Sequence, residues 1–145
     1  MKRFEFPLDR VRRWRREQAS IEELKLQQLR AELAGIAAGQ REIERARAAS
    51  EHEVLDQPFL DAAALQSLEA FRRYSREQLR GLINRQQQCQ ARIAEQRAVV
   101  LEARRKFELL DRLHQQSFEE WKAAVNKEQE DLAAELFLAA RRRAC

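Results

Sequence analysis

The sequence predicts an all-α protein, a long antiparallel two-helix coiled coil in which the second helix is the longer arm of an α-hairpin. Three observations predict it. The 145 residues include only three Gly and two Pro, where ordinary usage would give about ten and about seven. That is far too few turn-formers for the many tight turns of a β-sandwich or barrel. Charged residues make up 36% of the chain, and Ala, Glu, Gln, Leu and Arg, all good helix formers, dominate it. Finally, apolar residues recur at alternating spacings of three and four, the mark of a heptad seam. Disorder is the competing reading of a charged, Gln-rich chain. The near balance of 28 basic and 24 acidic residues, together with the periodicity, argues against it.

The first helix is expected over about 8–54. Pro7 suits the first helical position, where its missing N–H costs nothing, and Asp9 complements the helix dipole in the first turn. The apolar residues run Leu8, Val11, Trp14 and Ile21, then slip in phase near Lys25 as a four-residue stutter would. They resume as Leu29, Leu33, Ile36, Ile43 and Val54. Gly35 and Gly39 fall inside this pattern and Gly81 inside the next, each weakening its helix by ~1 kcal/mol relative to Ala. The reversal is expected over about 55–61, around Pro58, with Asp61 as N-cap of the second helix.

The second helix is expected over about 61–142 and carries the clearest signal. Its stripe runs Leu65, Leu68, Arg72, Ser75, Leu79, Leu82, Gln86, Cys89, Ile93, Gln96, Val100, Ala103, Phe107, Leu110, His114, Ser117 and Trp121, then drifts to Phe118, Trp121, Val125, Leu132 and Leu136. At 1.5 Å per residue the arms measure about 70 and 120 Å. A hairpin turning near residue 58 places residue i opposite 116 − i, so that Leu8 faces Phe107 or Glu108. On that register the overhang of about 110–142 has no partner within the chain, yet it holds Leu113, Phe118, Trp121, Val125, Leu132, Leu136 and Phe137. Such a stripe marks an interaction surface, unless it pairs with a second copy or the first helix shifts register to cover it. A single domain, 1–145, is expected.

Composition leaves little room for catalysis. The two histidines, His52 and His114, lie on different arms, and no Gly-rich phosphate loop, His-Glu-x-x-His or Cys-x-x-Cys occurs. No catalytic residue, metal or cofactor is expected. Cys89 falls at a seam position, where a thiol acts as a small hydrophobe, and Cys145 is terminal. The start, Met1–Pro7, lacks the apolar run of a secretory signal. No stretch reaches the ~18 apolar residues of a membrane span, so a cytosolic protein is expected. Arg accounts for 23 of the basic residues, and the net charge is +4. Arg10, Arg12, Arg13, Arg15 and Arg16 surround Trp14, and the expected register sets Arg104, Arg105 and Lys106 opposite them as a basic collar. Arg141–Arg143 add charge at the far tip. Nucleic-acid binding with Trp14 as a stacking surface is one reading, but Glu17, Glu22, Glu23 and Glu32 soon neutralise the run. A solvated face and a collar steering a protein partner are the others. Phe71 and Tyr74, beside Arg72 and Arg73, form an aromatic patch near the reversal.

Two segments resemble the FliJ family of flagellar export proteins. Phe4-Glu5-Phe6-Pro7-Leu8-Asp9-Arg10-Val11 is similar to the family's opening of Phe-x-Phe-x-Leu and an Arg-containing amphipathic helix. Arg104-Arg105-Lys106-Phe107-Glu108-Leu109-Leu110 is similar to its Arg-Lys-x-x-Glu-x-Leu signature, continued by Phe118-Glu119-Glu120-Trp121, by Glu128-Gln129-Glu130-Asp131-Leu132 and by Phe137. The resemblance implies an antiparallel two-helix coil similar to the γ stalk of rotary ATP synthases. It implies a non-enzymatic component of the flagellar type III export apparatus, cytoplasmic and peripherally associated with the inner membrane at the flagellar base. The end bearing both termini would enter the export ATPase hexamer and promote ring assembly, through Val11, Trp14, Arg15, Arg104, Arg105, Phe107, Leu110, Phe118, Trp121 and Val125. A patch of Phe71, Tyr74 and Gln78 would meet the membrane export gate protein, and export chaperones would be further partners. A general coiled-coil scaffold, or the equivalent stalk of a virulence-type secretion system, is the alternative.

Overall fold

A computed structural model of the chain describes residues 2–144; Cys145 lies outside the described residues. Among the described residues the regular elements are two helices that pack against each other, as in a helical hairpin: α1, Asp9–Leu55, of 47 residues, and α2, Ala62–Ala144, of 83. No helix of the described residues is long and apolar enough to cross a membrane. The described residues form two compact units, one of residues 21–100 and one that joins residues 2–20 to residues 101–144.

α1 opens slightly later than expected. The Asp9 N–H donates to the Phe6 carbonyl and the Arg12 N–H to that of Leu8. Pro7 therefore sits second in a Phe6–Asp9 turn, a position its fixed φ suits, and Leu8 precedes the helix as its cap. α2 opens as expected. The Asp61 carboxylate accepts from the Ala63 N–H at 3.3 Å, and its carbonyl accepts from the Leu65 N–H.

The unit of residues 21–100 is held by a narrow apolar seam. Leu26 and Ile36 of α1 and Cys89, Ile93 and Val100 of α2 are buried together, with Leu29, Leu33 and Leu82 packed against them. Polar positions in the seam are paired. Gln40 donates to Gln86 at 3.1 Å, the Cys89 thiol to the Leu29 carbonyl at 3.4 Å, and Arg72 to Glu51 at 3.0 Å. Gln96 donates to both the carbonyl and the carboxylate of Glu22. Partners on α2 thus fall in number as those on α1 rise.

Two of these pairs, Glu22–Gln96 and Leu29–Cys89, lie two residues from the expected register, and the other two depart further. Residue 40 was expected opposite residue 76 and meets Gln86. The connection is lopsided. α1 stays half-buried up to Val54, whereas Ala62, Ala63 and Leu65 of α2 are exposed and its first buried residue is Leu68. The helices therefore begin to pack several residues beyond the point a symmetric turn at residue 58 would give.

The inward face of α1 also differs from the expectation. From Arg12 it runs through Arg15, Ala19, Glu22, Leu26, Leu29, Leu33, Ile36, Gln40, Ile43, Arg47, Ser50 and Val54, each buried or half-buried. This is one unbroken alternation of three and four, without the slip near Lys25. Leu8, Val11, Trp14 and Ile21, whose spacing suggests the slip, are 43–49% exposed. Polar side chains take the inward positions there because they find partners on α2. The stripe of α2 follows its expected positions from Leu68 through Trp121, every one buried or half-buried.

Candidate docking surface

The unit that holds both ends of the chain is built on an aromatic clasp. Residues 2–6, outside any helix, pair with α2. In an extended segment residues two apart share a side, and Phe4 and Phe6 do so. Both set a ring edge-on to His114, at centroid distances of 5.5 and 5.2 Å. On α2, His114, Phe118 and Trp121 are spaced i, i+4 and i+7 and so share one face. Phe4 reaches all three, lying 5.2 Å from Phe118 and 5.7 Å from Trp121. The Trp121 indole N–H donates to the Lys2 carbonyl at 3.0 Å. Edge-to-face pairs of this kind add about 0.5–1.5 kcal/mol each beyond the area they bury.

The clasp overturns the expectation that everything after Leu110 lacks an intramolecular partner. Phe118 and Trp121 are contacted by the chain's own N-terminal segment. The fully exposed part starts later: every residue of Asn126–Ala144 is exposed, with Leu132 at 52%, Leu136 at 71% and Phe137 at 66%.

The basic collar is likewise redrawn. Arg12 donates to Asp111 at 3.0 Å and to Asp9 at 2.9 Å, and Arg13 pairs with Asp9 at 3.1 Å. An acidic residue of α2, rather than the Arg104–Lys106 run, therefore lies against Arg12. The Arg12 hydrogen bond, helped by the charge of Arg13, holds the Asp9 carboxyl below its usual range. Partial burial alone would lower the pKa of Arg12, but Asp9 and Asp111 outweigh it and keep the guanidinium charged. Arg15 lies over the ring of Trp14, 4.7 Å from its centroid.

The residues proposed for the ATPase-facing end thus fall into three groups. Val11 and Trp14 are exposed on α1, as are Arg104 and Arg105 on α2. Phe107 and Leu110 lie half-buried on the packed stripe of α2, and Arg15 is half-buried on α1. Phe118 and Trp121 belong to the clasp, with Val125 half-buried beyond them. Leu8, Leu109 and Leu113 are further exposed apolar side chains in this unit. In the other unit Phe71 is half-buried, while Tyr74 and Gln78 are exposed. Phe59 and Leu60, exposed in the connection, are apolar residues that the sequence pattern did not single out. His52 pairs with Asp56 at 3.0 Å. Sequence reasoning missed Phe4 and Phe6 as site residues, although the Phe-x-Phe spacing before Pro7 and the i, i+4, i+7 set on α2 were the signal.

No family model, curated protein or solved structure matches the chain.

Proposed function

We propose that this chain is a non-enzymatic stalk of the flagellar type III export apparatus, an antiparallel two-stranded coiled coil. The unit holding both chain ends enters the export ATPase hexamer and promotes its assembly and activity. The patch of Phe71, Tyr74 and Gln78 meets the membrane export gate protein, and export chaperones are carried as further partners. The protein works in the cytoplasm, at the inner-membrane base of the flagellum.

The observation that carries this reading is the exposed stretch Asn126–Ala144, adjoining a clasp that fixes the N-terminal segment beside it. An apolar stripe that its own chain leaves exposed calls for an outside partner. Exposed Val11 and Trp14 extend the apolar surface of the same unit. The commitment of Arg12 and Arg13 to Asp9 and Asp111 leaves less free positive charge for phosphates, which supports a protein partner over a nucleic acid.

The test is stimulation of the cognate export ATPase by the purified protein. Full-length chain is expected to raise turnover several-fold, and a chain ending at Val125, with clasp intact, is expected to lose most of that effect. Equal stimulation by the shortened chain would sink the assignment of this end.

A further inference from the structure

We propose that the bare segment Asn126–Ala144 pairs antiparallel with the same segment of a second copy of this chain, giving a weak, reversible dimer. This goes beyond the stalk reading and does not depend on it.

The argument rests on how charge is laid out beside the apolar stripe. α2 is helical to Ala144, so its faces follow from residue spacing. Val125, Gln129, Leu132, Leu136 and Ala139 are spaced by four, three, four and three, and from Gln129 onward they are exposed. Residues seven apart lie in one row along a helix. The row bordering this stripe is Glu128, Glu135 and Arg142. It is acidic at one end and basic at the other, with Glu135 midway.

A row with that order is complementary to itself when reversed. In an antiparallel pair centred at Glu135, Glu128 of each copy meets Arg142 of the other, so two ion pairs form. Around that centre Leu132 and Leu136 of the two copies cover one another, and Ala139 lets the backbones approach. A parallel pair would instead set the row against Ala133 and Ala140, and no charged pair would form. Lys2 lines a pocket with Trp121, Val125 and Glu128, so the N-terminal segment borders the start of the stripe and leaves Leu132, Leu136 and Ala139 open to a second copy. The contact is short, far below the size of an obligate interface, which makes the dimer weak. Glu135 opposes its own copy at the centre and weakens it further, since like charges side by side repel. Phe137 and Leu138 point away from the stripe and stay open in the dimer.

Sedimentation velocity on the full chain, from low micromolar to several hundred micromolar, tests this without any other protein. Wild type is expected to pass from monomer to dimer across the range. Arg142→Glu replaces two attractions by two repulsions and is expected to weaken association roughly tenfold or more. Adding Glu128→Arg to that variant restores the complement and is expected to restore the dimer. Glu135→Gln removes the central repulsion and is expected to tighten it about two- to fivefold. All these residues are exposed, and circular dichroism would check that each variant keeps its helices. A wild type that stays monomeric throughout would overturn the proposal. So would a dimer that ignores the charge changes, or one that the double exchange fails to restore.

Discussion

Cys89 is fully buried, and its thiol donates to the Leu29 carbonyl across the seam at 3.4 Å. A thiol reacts only where a reagent can reach it, and here packing withholds that access. Reaction therefore requires the helices to separate. In a Cys145→Ser background, Cys89 is expected to resist an aromatic disulfide reagent in native buffer and to react in full in denaturant. Rapid native labelling would show that the seam opens easily at that level. Neighbouring seam positions follow the same logic of satisfaction. Ser75, 1% exposed, donates its hydroxyl back to the Phe71 carbonyl at 2.8 Å. This is how a hydroxyl survives on an inward helical face.

At the scale of the helices, the sequence made their existence plain and their phase in places obscure. Long runs of helix formers broken only at Pro7 and Pro58 leave no other architecture, and both ends of each helix fall within about two residues of expectation, the margin by which helix boundaries ordinarily vary. In the first heptads of α1 the apolar pattern does not mark the inward face. Arg12 and Glu22 turn inward instead, and what permits it is Asp111 and Gln96 on the other helix. No single-helix pattern contains that information. The clasp was obscure for a similar reason: Phe4 and Phe6 acquire meaning only beside His114, Phe118 and Trp121. The glycines are legible in both views as helix interior without a structural need. An added methyl at Gly35 or Gly81 meets nothing within 4 Å, and at Gly39 only an ordinary contact with Leu82 at 3.7 Å. Among the described residues none adopts the left-handed backbone conformation that would demand glycine. Gly35→Ala and Gly81→Ala are each expected to stabilise the protein by ~0.5–1 kcal/mol. Thermal melts should show it as a rise of roughly 2–4 °C, and a fall would mean that the glycine serves a close approach to a partner.

Across the whole molecule, three carboxylates respond to acid in the same direction. Asp9 is lowered by the Arg12 hydrogen bond, Glu22 by that of Gln96 and then Lys25, and Glu51 by that of Arg72. A group whose pKa is depressed on folding binds fewer protons folded than unfolded, so its contribution to stability is full above the ordinary carboxylate range. It is lost as pH falls through that range, near 4, toward the lower folded values. Acid also strips negative charge from a chain with 28 basic residues against 24 acidic ones, and the excess positive charge then repels itself. The melting midpoint is accordingly expected to change little between pH 7 and about 5 and to drop steadily below about 4.5. Two causes share that drop, and they can be separated. Repulsion between distant charges is screened by salt, whereas the paired contacts are less so. A chain carrying Arg12→Gln, Arg72→Gln and Gln96→Ala has lost the strongest partner of each of these three groups, while Arg13, Lys25 and Arg47 remain. Its midpoint is expected to lie below wild type at pH 7 and to converge with it near pH 2, at high salt as at low. Two curves that stay parallel across the titration would show that the cross-helix contacts add nothing pH-dependent, and that acid acts on this chain through its net charge alone.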